Sequence, residues 1–399
     1  MRTSFAIKIT LCLALLSSCN RNTVRNTQSD EFIDQCSMEK TGKKIFPVDD
    51  NTSTEIAYLQ YIHNDTLPML SLLNTYTNSI YLYDAERSTI LDTITFHKEG
   101  MHGVGEIQGY YYHNDDSIFT YAYGYGRVFL ANRKGKIIQK YNLFNPDELL
   151  EDTTQFRALP YLYSWTPMLY KNRKLILTGG FFAETSMEKS DNTFVTNIYD
   201  ITNDKGTYTN SYPEQYQKYE WCGGFFYRQP SITMHSNQSF LLSFSADHRI
   251  RHYNLKTGEQ THFYAGSQKI KEIKPLRSSK VLMAERSNHE ISDWYYSQPS
   301  YEGVFADPYK HLVYRIARLP NPGQEQGRFN AKPVVIIVLD EQLNYIGEEL
   351  LPQGLQYDTF NSYVSPEGLH IHIRNPKDED HLTFFVYNIN KQKQLQNQE

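Results

Sequence analysis

Along most of this chain apolar and polar residues alternate with a period of two, in short runs separated by Asn, Asp, Gly and Lys. That is the pattern of half-buried strands joined by tight turns; helical periodicity is scarce. The runs recur as a unit: strand, short turn, strand, gap, a third strand ending in an aromatic and Asp or Asn, turn, and a fourth strand. One copy is GYYYHNDDSIFTYAYGYGRVFLANRKGKIIQKYNL from Gly109, another PSITMHSNQSFLLSFSADHRIRHYNLKTGEQTHFYA from Pro230, and the last NSYVSPEGLHIHIRNPKDEDHLTFFVYNINKQKQL from Asn361. The third strands end at Asp84, Asn132, Asp200, Asn254, Asp340 and Asn388, spaced by 48, 68, 54, 86 and 48 residues.

A four-stranded unit with a minimum period near 48 residues predicts an all-β fold, a six-bladed β-propeller. The widest interval, over Gly266 to Ser300, lacks the pattern of a seventh blade, and an immunoglobulin-like array explains the four-strand period less well. The last strand (KQKQLQNQE) is weak and polar. The spare strand Lys44-Ile45-Phe46-Pro47-Val48 is therefore expected to complete or flank the last blade. Tyr and Phe together number 53, which suits pleated, half-buried surfaces.

The amino terminus breaks this pattern. Arg2 and Lys8 precede the apolar run Ile9 to Leu16, and Leu16-Ser17-Ser18-Cys19 follows, the layout of a secretory signal ending in a bacterial lipobox. The run is too short for a bilayer span, which takes about 20 residues. Cleavage before Cys19 and acylation of its thiol and amino group would provide a stable anchor. Residues 1–18 are thus read as signal peptide, 19–40 as lipidated Cys and flexible tether, and 41–399 as propeller. The polar stretch NRNTVRNTQS after Cys19 has the composition of a disordered linker. Asn20 is not the Asp that retains lipoproteins at the inner membrane, and no acidic cluster follows it. The expected location is the outer membrane, facing the periplasm.

Loss of the signal takes the net charge from −5 to −7, and the body has no basic stripe, which argues against nucleic acid as a partner. Cys36 and Cys222 then remain. An oxidising compartment permits a bridge between them, but two inert thiols are the default.

The first-to-second and third-to-fourth turns of each blade are short. Long connections, including His97 to Gly105, Phe144 to Trp165, Pro213 to Gln229 and Gly266 to Tyr301, all fall on the opposite face, where binding concentrates. Trp165, Trp221 and Trp294 lie there, either as ligand contacts or as gap fillers. In HKEGMHGVG, Gly100, Gly103 and Gly105 free the backbone for tight turns or exposed amides. The candidate binding set is Glu99, His102, Arg157, Trp221, Arg286 and Trp294. Glu106, Glu302 and Asp358 precede or open innermost strands and are the candidate channel-mouth acids. His370 and His372 share a strand face, and His248 and His252 flank another strand start, but no carboxylate is spaced to join them, so no metal or cofactor is assigned. Neither a G-x-S-x-G elbow nor HExxH occurs.

Two segments carry a family resemblance. Phe96 to Gly105 resembles the Phe-x-x-Glu-Gly-x-x-Gly-Val-Gly segment, and Tyr301 to Arg315 (YEGVFADPYKHLVYR) the Asp-x-Tyr and Tyr-Arg segment, of a family of uncharacterised bacterial lipoproteins: a domain of unknown function with a six-bladed, TolB-like propeller. The resemblance implies the fold and export, and no chemistry. The functional expectation is a non-catalytic binding or scaffolding module for a glycan, peptide or envelope protein. The alternative is a hydrolase or lyase using acids at the channel mouth. A convergent polar cluster there would favour the enzyme, and a plugged channel would count against it.

Overall fold

The computed structural model describes residues 23–390, except 124–125, 144–155, 158, 181–192, 222–224, 279–287, 322–331 and 354–355. Six antiparallel sheets follow one another as blades. Blade 1 is Leu59–Ile62, Met69–Asn74, Ser79–Asp84 and Thr89–Thr95; blade 2 is Gly109–Asn114, Ser117–Ala122, Arg127–Ala131 and Ile137–Asn142. Blade 3 is Leu169–Lys171, Lys174–Thr178, Thr193–Asp200 and Lys205–Ser211, with the short strand Phe156–Arg157 paired parallel to its third strand. Blade 4 is Ser231–Ser236, Ser239–Ser243, Arg249–Asn254 and Gln260–Tyr264; blade 5 is Ser300–Asp307, Leu312–Arg318, Val334–Asp340 and Tyr345–Leu350. Blade 6 is Gln356–Ser365, Gly368–Arg374 and His381–Asn390, and its outer strand is Ser37–Pro47 from the other end of the chain.

The Asp or Asn at the end of the third strand has a common role in five of the six blades. Its side-chain oxygen accepts the backbone N–H groups of the turn that follows: Glu86 and Arg87 on Asp84, Lys134 and Lys136 on Asn132, Thr202 on Asp200, Lys256 and Thr257 on Asn254, and Asn344 on Asp340. Asn388 of blade 6 instead donates to Thr41 and to the Glu367 carbonyl. A short polar side chain thereby satisfies donors that the ladder abandons where it turns. Asp307 serves the first turn of blade 5 similarly. It accepts from the N–H groups of Tyr309 and Lys310, while its second oxygen accepts the Tyr314 hydroxyl at 2.9 Å. That contact is why Asp-x-Tyr and Tyr-Arg occur together.

Ring closure follows the expectation from the spare strand, over a longer reach. Ser37–Pro47 pairs antiparallel with the strand His381–Asn390, from Ser37 opposite Asn390 to Pro47 opposite His381. Phe46 is fully buried there, in contact with the Tyr83 and Phe384 rings.

The flexible tether expected over 19–40 is corrected for its described part. Val24–Arg25 pairs with Glu272–Ile273, and the buried Asn26 donates to the carbonyls of Ser267 and Ile270. The Phe32 ring stacks on Tyr264 at 4.8 Å, and Tyr345 donates to Asp34 at 2.7 Å. Gln35 and Cys36 then both donate to the Ile346 carbonyl. The segment is a strap across the outer edges of blades 4 and 5, running from the long-loop face into blade 6. Its polar residues bond specific backbone groups, which a search for apolar periodicity does not register.

Candidate functional site

The channel is filled from the long-loop face by the connection between blades 2 and 3. Leu162 sits against Gly109 of blade 2, where an added Cβ would lie 2.7 Å from the Leu162 side chain. The Ser164 hydroxyl donates to Asn361 of blade 6 at 2.6 Å and accepts the Leu59 N–H of blade 1. The Trp165 carbonyl accepts from Ser231 of blade 4, and its ring packs on Phe360 of blade 6. One short segment thus touches the innermost strands of four blades. Trp165 is a plug, not an exposed contact.

Around this plug lie two of the three candidate acids, each buried and bonded through one carboxylate oxygen. Arg318 Nε donates to Glu302 Oε2 at 3.1 Å, and the Thr359 hydroxyl donates to the same oxygen. Arg318 also donates to the carbonyls of Lys332 and Tyr357. The Lys332 ammonium donates to the carbonyls of Tyr295 and Gln298 and lies 4.1 Å above the Tyr295 ring. Burial pushes Lys332 down to about 7, with the Glu302 charge opposing and Arg318 adding to the fall. Asp358 receives His372 Nδ1 at 3.3 Å, Arg374 at 3.1 Å and Asn361 at 3.0 Å. Burial would raise its carboxyl, but the His372 hydrogen bond and the His372 and Arg374 charges outweigh it and hold Asp358 down to about 2. Glu106 is not with them. It is exposed and paired with Lys98 at 3.1 Å.

The Gly-rich segment is a folded shelf. Asn78, at the turn into the third strand of blade 1, donates to the carbonyls of Phe96 and Gly105 and accepts the Ile107 N–H. Val104 and Gly105 donate back to His97 and Lys98. Gly100 and Gly105 have positive φ, and Gly103 is needed for closeness: an added Cβ would lie 2.7 Å from the Glu99 backbone. This frame pushes Glu99, Met101 and His102 into solvent, with Met101 92% exposed. Beside them opens a basin of about 670 Å³, lined also by Lys98, Arg127, Phe129 and Lys140.

Within the candidate binding set, Glu99 and His102 share the shelf, and Trp221 and Trp294 lie apart from them. Trp221 and Trp294 belong to the separate aromatic core of blades 3 to 5, with ring centroids 6.4 Å apart. Each indole N–H donates internally, to Gln215 and to Lys274, so these rings fill gaps between connections. Arg157 lies in the short strand of blade 3, and Arg286 falls outside the described residues, as do Cys19 and Cys222. Sequence reasoning missed Arg127 and Lys140. They flank the Gly-rich segment only because blade 2 follows it directly, and that chain order was the available signal. His370 is buried, stacked on Tyr363 at 4.3 Å and bonded to Ser365 at 2.8 Å; His248 lies between Tyr301 and the Val24 carbonyl. Among the described residues, no three His, Cys, Asp or Glu are grouped to hold a metal ion.

The chain was compared with known proteins. No curated protein matches it in sequence. A solved member of the DUF4221 family from Bacteroides vulgatus is 20% identical with a TM-score of 0.74, over 89% of this chain and 98% of that one. A protein of Bacteroides fragilis described as exported is 12% identical with a TM-score of 0.52, over 88% of this chain and 95% of that one. At these identities the likeness establishes the fold. The family model for DUF4221, a domain of unknown function, matches residues 34–350, spanning the strap's end and blades 1 to 5. This six-bladed propeller therefore belongs to the DUF4221 family.

Proposed function

We propose that the protein is an envelope-anchored lipoprotein, acylated at Cys19, whose propeller binds an extended partner without catalysis. The observation that carries the binding reading is the basin beside the Gly-rich shelf. It is wide and open, walled by blade 2, and offers Arg127, Lys140 and His102 against the acid Glu99 in its lining, with Lys98 at its edge paired to Glu106. Such a surface suits a polypeptide segment bearing carboxylates better than a neutral glycan. Export is supported by the signal-like amino terminus and by the exported relative of the same fold.

The alternative, a hydrolase or lyase, draws support from the polar clusters around Glu302 and Asp358. A general acid must reach the proton it transfers, whereas both acids are buried beside the plug and paired with internal cations. The binding reading is tested on immobilised protein with acidic peptides and envelope extracts. Arg127→Ala with Lys140→Ala, and Glu99→Ala with His102→Ala, should leave the melting temperature within about 2 °C, as exposed substitutions do. The basic pair should weaken capture about tenfold, or roughly 1.4 kcal/mol. Undiminished capture by both double variants would remove the basin from consideration.

A further inference from the structure

We propose that the rim of blades 4 and 5 on the long-loop face lies against the lipid headgroups of the membrane. This rests on the acylation of Cys19 proposed above, and adds an orientation to it. The argument begins with the strap. A free tether through residue 40 would let the propeller turn in any direction at a distance from the bilayer. Instead the chain is fixed to the body from Val24 onward. Val24–Arg25 is paired with Glu272–Ile273, and Asn26 is buried with its amide bonded to two carbonyls of the same connection.

Only four residue steps separate Cys19 from Thr23, the first described residue. Fully extended, four steps span at most about 14 Å. Acyl chains on Cys19 place that residue at the membrane interface, so Thr23 lies within that distance of it. The strand pair formed by Val24 is in the connection from blade 4 to blade 5, and His248, from the second-to-third loop of blade 4, contacts the Val24 carbonyl. Both are on the long-loop face. The leash therefore emerges from one rim of the ring, and that rim must face the bilayer.

Charge is not the main source of the orientation. Lys271 pairs with Asp30, Lys274 with Glu272 and Lys269 with Glu348, which leaves the exposed Arg25 as the principal cation at the exit. Orientation then comes chiefly from chain length, in contrast to a polybasic surface. The Gly-rich shelf lies between blades 1 and 2, across the six-membered ring from the leash. The rim set against the membrane is thus the one farthest from the basin.

The test uses the full chain, isolated with its lipid and reconstituted in neutral phosphatidylcholine vesicles containing headgroup-quencher lipids. A fluorescent amino acid replaces Lys274, beside the leash, or Lys134, in an outer turn of blade 2. Mass spectrometry of the amino-terminal peptide first establishes whether Cys19 is acylated. With acylated protein, the probe at 274 should be quenched at least about threefold more than that at 134, since only the former lies near a leash of about 14 Å. Inserting about 20 Gly and Ser residues after Arg21 should erase the difference, because a flexible linker of that length reaches roughly 25 Å on average. Equal quenching at both positions in acylated, uninserted protein overturns the orientation while leaving the anchor intact. An unmodified Cys19 overturns the anchor itself, and the orientation with it.

Discussion

Gly103 and Asn78 account for the shape of the Gly-rich shelf, each for a different physical reason. Left-handed backbone is confined to Gly100 and Gly105 within the shelf, so Gly103 is not there to permit a positive φ. It is there because the backbone of Glu99 occupies the place of a side chain. Gly103→Val should therefore cost several kcal/mol, about 3, through a clash that only backbone movement relieves. Asn78→Ala should cost a comparable amount, about 2 kcal/mol or more, by leaving two carbonyls and an amide without partners. Chemical denaturation checks both; a Gly103→Val protein as stable as wild type would mean the shelf is loose. Acidity acts at other single residues. Burial pushes His370 down to about 3, with Lys44 and Lys310 adding repulsion, and burial likewise holds His248 down to about 4. Unfolded histidine takes up its proton near 6.5, while these two in the folded chain do not. Stability is therefore full above about pH 6.5 and falls as pH drops towards 4 and 3, by on the order of 2 kcal/mol per histidine at pH 5. Asp358, held down to about 2, adds its own loss only below about pH 4. Melting curves at pH 7 and 5 should show the fall, and His370→Phe, which keeps an aromatic ring against Tyr363, should reduce it. A wild-type melting temperature as high at pH 5 as at pH 7 would refute the assignment.

At the scale of elements, what the sequence made legible was whatever depends on local repetition. Five of the six third-strand ends, at Asp84, Asn132, Asp200, Asn254 and Asp340, fall at or one residue past the end of a strand, because an Asx side chain and the turn it stabilises lie within a few residues of each other. Asn388 lies inside its strand and bonds Thr41 and Glu367 instead. The spare strand at Lys44 to Val48 was legible for a similar reason: Ile45 and Phe46 among lysines suit an edge strand, and the carboxyl-terminal blade had no convincing fourth strand. The strap was not legible. Asn26 and Ser29 are buried through bonds to groups more than 200 residues away or to each other's backbone, and Phe32 is its one large aromatic. Nothing local distinguishes such a segment from linker. The tryptophans failed as site markers on the same ground. Loop length placed Trp165, Trp221 and Trp294 on the correct face, but whether a ring on that face meets solvent depends on which other connection lies over it, and that is a tertiary fact.

For the whole molecule, the two ends of the chain are held together by a single pair of strands, and this sets how the ring opens. Ser37–Pro47 covers the outer edge of blade 6 over ten paired positions, burying Phe46 and Met38. Each large apolar side chain so buried contributes roughly 1.5–3 kcal/mol. Removing the strand also bares a ladder edge along His381–Asn390, whose N–H and C=O groups then become a template for other strands. The strap ahead of it has a different role. Its contacts with blades 4 and 5 add to a ring that is already closed, and the plug around Ser164 and Trp165 ties blades 1, 2, 4 and 6 independently of it. Two truncations of the lipid-free protein separate these contributions. A chain beginning at Cys36 keeps the whole closing strand and should remain a cooperatively folding monomer, destabilised by a few kcal/mol, about 2–4, from the loss of the strap. A chain beginning at Asp49 lacks the strand and should lose far more, with a lower denaturation midpoint and association through the bared edge, seen by light scattering. Equal stability of the two truncated chains would mean that closure resides in the plug, and that the amino-terminal strand only decorates a ring already locked from within.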